Sequence, residues 1–148
     1  MKIASNKKAR HDYEILKKYE AGIALNGNEI KSIRDNRVNL KDSFIKVNSK
    51  NEIFLYNAHI SAYKQAHKVS ENDAIRPRKL LLHKKEIISL KESSRETGYA
   101  IICLTMYFKK NYVKVEIALA KGKKLHDKRQ SIKEKDLKRE MQRTLKYR

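Results

Sequence analysis

No tryptophan occurs in this chain, and a lone cysteine, Cys103, excludes an intramolecular disulfide and any cysteine-rich zinc site. Within YAIICLTMYF, Cys103 reads as a small buried hydrophobe rather than a catalytic thiol. Apolar runs stop at about ten residues, half of what a membrane-spanning helix needs. With no tryptophan and three phenylalanines there is also no apolar face to complement a basic one at a lipid surface, so no membrane partner is expected. The opening MKIASNKKARHDY has no apolar stretch behind its charge, so no secretory signal is expected and the predicted location is cytoplasmic. Catalytic signatures are missing too: there is no P-loop glycine pattern, GxGxxG, HExxH or GxSxG. The five histidines have no metal-ligand spacing, and the acids do not pair, so neither an enzyme nor a metal or cofactor site is predicted.

What is present in excess is positive charge: 36 Lys and Arg against 17 Asp and Glu over 148 residues, a formal +19. Residues 121–148 hold 12 of the basic residues and 4 of the acids. A segment that charged and that poor in apolar groups cannot offset its own ordering entropy, so it is expected to be disordered alone and to fold on a polyanion. Residues 1–120 are expected to form one domain around one core, and they are basic as well. Charge of one sign on both parts draws phosphate backbones, with affinity falling as salt rises.

Period-two patterning dominates the middle of the chain. Val113, Val115, Ile117 and Leu119 alternate with Lys114, Glu116, Ala118 and Ala120, which is a half-buried strand. Residues 99–108 precede it across Lys109, Lys110 and Asn111, and together they read as a hairpin. A second hairpin is expected from 43–47 and 53–60, and two further strands from 13–18 and 21–25, with Asn26-Gly27-Asn28 as a turn. Helices are predicted at 29–35 and, beginning after Pro77, over 79–90; residues 68–75 read as a loop. The result is a mainly β chain with short helices (α+β), an OB-like closed antiparallel barrel of about six strands, since closure removes exposed edges.

Basic groups at NKKARHDY, RPRK and AKGKK, interleaved with Tyr13, Tyr19, Tyr99, Tyr107 and Tyr112, form an RNA-binding pattern in which a ring can stack on an unpaired base. Tyr13 is the strongest candidate. In the tail, Leu137, Met141 and Leu145 recur at helical spacing among basic residues.

These blocks are specific. NKKARHDYEI, YEAGIALNGNEIKSIR, VNLKDSF, NAHI, RPRKLLLHKKEI, ALAKGKKLHDKR and IKEKDLKRE, in this order, closely resemble the SsrA-binding protein (small protein B) family, the bacterial partner of transfer-messenger RNA. The resemblance implies a non-catalytic OB-like barrel that binds the tRNA-like domain of transfer-messenger RNA and acts in trans-translation. It implies delivery with elongation factor Tu to stalled 70S ribosomes, with the protein a monomer. By motif position, the RNA-binding surface would include Asn6, Lys7, Lys8, Arg10, Tyr13, Glu20, Leu81, His83 and Lys114. Residues Gly122, Lys123, Lys124, His126, Asp127, Lys128, Arg129, Ile132, Lys133, Lys138, Arg139 and Leu145 would meet the 16S rRNA decoding centre and the mRNA channel. His83 stands where some members carry Asn, and Leu137 where many carry Trp. The alternative reading is a generic RNA-binding barrel associated with the ribosome.

Overall fold

The computed structural model describes residues 2–61 and 74–123. Both expected hairpins form where they were predicted, and the interior of the barrel comes from alternation. In the last strand, β9 (Tyr112–Gly122), Val113, Val115 and Ile117 are buried while Lys114 and Glu116 keep contact with solvent. It pairs antiparallel with β8 (Tyr99–Lys109) from Tyr99↔Lys121 to Lys109↔Tyr112, so the expected hairpin is present and its turn is Lys110-Asn111, with Lys110 at φ 57°.

On its other edge β9 meets β2 (Tyr13–Ile23). This is one continuous strand where two were expected, because a register shift between Ile15 and Lys17 absorbs the break in periodicity without ending the ladder. Tyr19 is buried within it, under the Lys17 ammonium 5.1 Å from the ring centroid.

The second hairpin is β4 (Phe44–Val47) with β5 (Ile53–Tyr56). Its loop is tied by the Asn48 carboxamide, which accepts from the Lys50 and Glu52 backbone N–H groups at 3.0 and 2.9 Å. The predicted strand to residue 60 stops at Tyr56, since Asn57 takes φ 64°; His59–Ile60 (β6) then pairs with Val38–Asn39 (β3) as a separate ribbon.

Two further segments depart from expectation. The helix predicted over 79–90 is instead a strand, β7 (Arg78–Leu81), followed by helix α3 (Lys84–Ser93). Arg78 and Leu80 point inward while Lys79 and Leu81 are exposed, and β7 fills the place between β5 and β2. A short strand wedged between two ladders gains cross-strand pairing that outweighs helix propensity. The turn expected at Asn26-Gly27-Asn28 is the start of α2 (Gly27–Arg34): Asn26 Oδ1 accepts from the Glu29 N–H at 2.9 Å and Glu29 Oε1 from the Asn26 N–H at 3.0 Å, a reciprocal cap.

Among the described residues the ring runs β8-β4-β5-β7-β2-β9 and returns to β8, six strands as expected in number, with β7 making up the count now that 13–18 and 21–25 are one strand, and β1 (Lys2–Ser5) is added beside β8. Closure is uneven. β2 and β9 pair along most of their length, whereas β4 meets β8 through the single pair Ile45↔Ile101. Inside lie Ile33, Leu55, Leu80, Leu90, Val115 and Ile117, with the thiol of Cys103, whose pKa burial pushes up to about 12. Cys103 is thus the inert hydrophobe its context indicated.

Outside the ring, helix α1 (Lys7–Asp12) covers a second apolar cluster of Ala9, Ile102, Leu104, Ala118 and Ala120. Asn6 anchors it: Oδ1 accepts from Ala9 N–H at 3.1 Å, and Nδ2 donates to the Leu40 and Cys103 carbonyls at 3.1 and 3.2 Å. Asn6→Ala removes a cap and orphans two buried carbonyls, so urea unfolding should show a loss of about 2–3 kcal/mol.

Candidate nucleic-acid interface

Because strand residues alternate faces, the positions that leave the core on β8, β9, β2 and β7 must share one outer surface. Register aligns them in rows. Glu20 lies opposite Glu116, which lies opposite Thr105; one row on, Leu81 lies opposite Gly22, Gly22 opposite Lys114, and Lys114 opposite Tyr107. Arg10 on α1 reaches down to the first row, donating to Thr105 Oγ1 at 3.0 Å and lying 3.6 Å from Glu116. At the far end Tyr13 opposes Gly122, whose missing side chain leaves the ring edge close to the strand.

Two acids in register would repel each other, and the surface compensates each one. Glu20 accepts from the Tyr107 hydroxyl at 2.5 Å and from Lys109 Nζ at 3.2 Å; those two contacts, Tyr107 first, hold its carboxyl below the usual range. Glu116 has Arg10 and, at 4.0 Å, Lys18. Burial first, then the Glu20 carboxylate, pushes the Tyr107 phenol pKa upward, so Tyr107 remains a donor. Glu20 is therefore a fixed, ionised acceptor surrounded by cations, which suits amino groups on base edges while Lys114 and its neighbours suit phosphate.

Leu81 is 55% exposed, which rules out a core role, and it rests over Gly22, where an added Cβ would come within 3.2 Å of the Leu81 Cβ. It presents an apolar platform beside Lys114. His83 is exposed at the start of α3, with its backbone N–H directed to Glu86 Oε1 at 3.4 Å, and lies two residues beyond Leu81. Lys7 is exposed, and Lys8 is paired with Asp42 at 2.7 Å on the opposite flank of α1.

The structure therefore brings Arg10, Tyr13, Glu20, Leu81 and Lys114 onto one face, with Asn6 buried beneath it as the support of α1. The RPRK cluster does not join them: Arg78 is fully buried, Arg76 and Arg78 both bind Glu29, and Lys79 pairs with Glu52 at 3.2 Å. Buried arginines need a partner, and this one was far away in sequence. Lys109, Lys18 and Glu116, which the sequence reading did not single out, join Tyr107 on this face; register from the 109–112 turn places Lys109 and Glu116 there, whereas Lys18 comes from the β2–β9 pairing. Gly122 is a strand residue, held by a 2.8 Å bond from its N–H to the Gly98 carbonyl, and the Lys123 N–H donates to Asp12 O at 3.0 Å. The remaining tail positions, Lys124 through Leu145, lie outside the described residues, as does most of the loop expected at 68–75. Among the described residues no group of three or more His, Cys, Asp or Glu is placed to hold a metal, and no helix is long and apolar enough to cross a membrane.

The chain is 52% identical over 146 residues to the SsrA-binding protein of Carboxydothermus hydrogenoformans, spanning 99% of this chain and 97% of that protein. It is 53% identical over 146 residues to the SsrA-binding protein of Listeria monocytogenes, spanning 99% and 94%. Among solved structures, a chain from "tmRNA-SmpB: a journey to the center of the bacterial ribosome" superposes with a TM-score of 0.68 at 42% identity, covering 82% of this chain and 85% of that one. The model of the SmpB protein family matches residues 3–147, and the chain belongs to that family.

Proposed function

We propose that this protein binds the tRNA-like domain of transfer-messenger RNA through the outer face of β2, β9, β8 and β7 and brings it to stalled ribosomes for trans-translation. The observation that carries this reading is the row Leu81, Gly22, Lys114, Tyr107 beside the fixed carboxylate of Glu20: an apolar platform, phosphate-reaching cations and a base-edge acceptor on one rigid sheet. The SsrA-binding proteins at over half identity supply the identity of the RNA. The protein acts as a non-catalytic cytoplasmic RNA-binding factor, with elongation factor Tu joining through the RNA. Residues 124–148, which carry ten Lys or Arg, meet the decoding centre and the mRNA path.

Filter binding tests this. Lys114→Ala weakens transfer-messenger RNA binding and lowers the slope of log affinity against log salt by about 1. The unmodified protein prefers transfer-messenger RNA over bulk tRNA at one fixed salt concentration. Equal affinity for the two RNAs would instead support a generic RNA-binding barrel.

A further inference from the structure

On the flank of α1 away from that face, the weakly closed seam between β4 and β8 opens into a groove of about 800 Å³. One wall is Phe44 to Val47 and the other Tyr99 to Ile102, with α1 and the C-terminal end of α3 at its border. The groove combines two features. The first is an aromatic platform: Phe44 is 40% exposed and stacked on Tyr56, with centroids 5.3 Å apart and planes 11° apart. Phe44 lines the groove and Tyr56, stacked on its ring, does not, so the stack backs Phe44 from outside the groove while the flexible Lys46 side chain lies over the ring.

The second feature is charge. Lys46 Nζ lies 5.6 Å from the Phe44 centroid, and Lys91 and Arg95 stand at the rim. Lys91 donates to the neutral Asn51 carboxamide at 3.0 Å, a partner that brings no counter-charge. The acids are Asp42, matched by Lys8, and Asp12, beside His11 at 3.2 Å. A rigidly backed ring with cations within phosphate reach is the arrangement that holds an unpaired nucleotide, base on ring and backbone on cations. Continuity favours RNA already bound: Tyr13, placed on the outer face opposite Gly122, and Asn6, which fixes α1, both line the groove, so only α1 separates the two surfaces.

We propose that the groove takes one or two unpaired nucleotides of the same RNA that binds the outer face, with a base stacked on Phe44 and phosphate near Lys46 and Arg95. This rests on the reading under Proposed function. The experiment uses the full chain with transfer-messenger RNA and compares Phe44→Ala, Phe44→Tyr and Lys114→Ala by equilibrium binding. In parallel, 4-thiouridine-substituted RNA is photocrosslinked and the modified peptide mapped. Phe44→Ala should weaken binding about tenfold and Phe44→Tyr less than about twofold, with crosslinks in residues 44–47 or 99–102. Unchanged affinity in Phe44→Ala with weakened Lys114→Ala would overturn the groove and leave the outer face standing. Equal loss in Phe44→Ala and Phe44→Tyr without groove crosslinks would also overturn it. Unchanged affinity in Phe44→Ala and Lys114→Ala alike would overturn the outer-face reading itself.

Discussion

Glu29→Ala is expected to destabilise the protein by about 3–5 kcal/mol, the cost of leaving buried cationic groups without their counter-ion. Glu29 is only 7% exposed. Its Oε2 accepts from Arg78 Nε at 2.5 Å and from Arg76 Nε at 3.1 Å, and its Oε1 accepts from Arg76 Nη2 and from the Asn26 backbone. Arg78, fully buried, spends its other groups on the Ala58 and Ala74 carbonyls at 2.6 and 3.0 Å. One carboxylate thus caps α2 and fastens it to β7 and Arg76, and Arg78 carries the link on to Ala58 before β6. Burial opposes its ionisation, yet the Arg76, Asn26 and Arg78 hydrogen bonds prevail and hold its carboxyl below the usual carboxylate range. The sign follows: the stabilisation is complete above the unfolded-state carboxyl pKa of about 4.3 and is lost as pH falls through the lower folded value. Urea titrations at pH 7 and pH 3 check both points, since the gap between the wild type and Glu29→Ala should shrink at acid pH. A gap that is small at pH 7, or that widens at acid pH, contradicts the clamp. Glu29→Gln should also lose most of the stability, because the amide retains size but not charge.

A chain ending at Lys123 should still fold and bind transfer-messenger RNA, yet fail to support peptide tagging on stalled ribosomes. The break point is set by the structure, because Gly122 and Lys123 make backbone hydrogen bonds to Gly98 and Asp12 that a shorter truncation would remove. The deleted residues carry ten basic and four acidic side chains, so the chain loses a net six positive charges while the outer face with Glu20 and Lys114 is untouched. Affinity for the isolated RNA and tagging in a reconstituted translation system are read side by side. Loss of RNA binding in the truncated chain would show that the tail contributes to the first partner, and the division of roles between barrel and tail would be wrong.

Local patterning carried far for the long elements. The alternation of Val113, Val115 and Ile117 with Lys114 and Glu116 announces both strand and facing, and it places Lys114 outside before any coordinates. The polar turn at 109–111 announces the β8–β9 hairpin, whose pairing fixes which residues neighbour Lys114. The family blocks placed Tyr13, Glu20 and Leu81 as site residues, and these lie on one surface. Short elements were less legible. Residues 78–81 alternate for only four positions, too few to separate strand from helix, and the slot between β5 and β2 decided. At α1 the six residues KKARHD, with Ala9 the only apolar one, show no apolar periodicity; the helix depends on Asn6 reaching two distant carbonyls.

Charge, alternation and motif order within the chain itself therefore determined a basic, mainly β RNA-binding protein whose positive charge is densest in residues 121–148. Those properties are additive or local in sequence, so they survive without coordinates. The tertiary structure alone decided which basic residues are available. Arg76 and Arg78 look like Lys114 in a sequence, but they meet Glu29 across 47 and 49 residues, Arg78 inside the core and Arg76 at its edge, whereas Lys114 is turned outward by register. Partner choice for a charge depends on who lies within a few ångströms, and that distance is set by the closure of the barrel rather than by position along the chain.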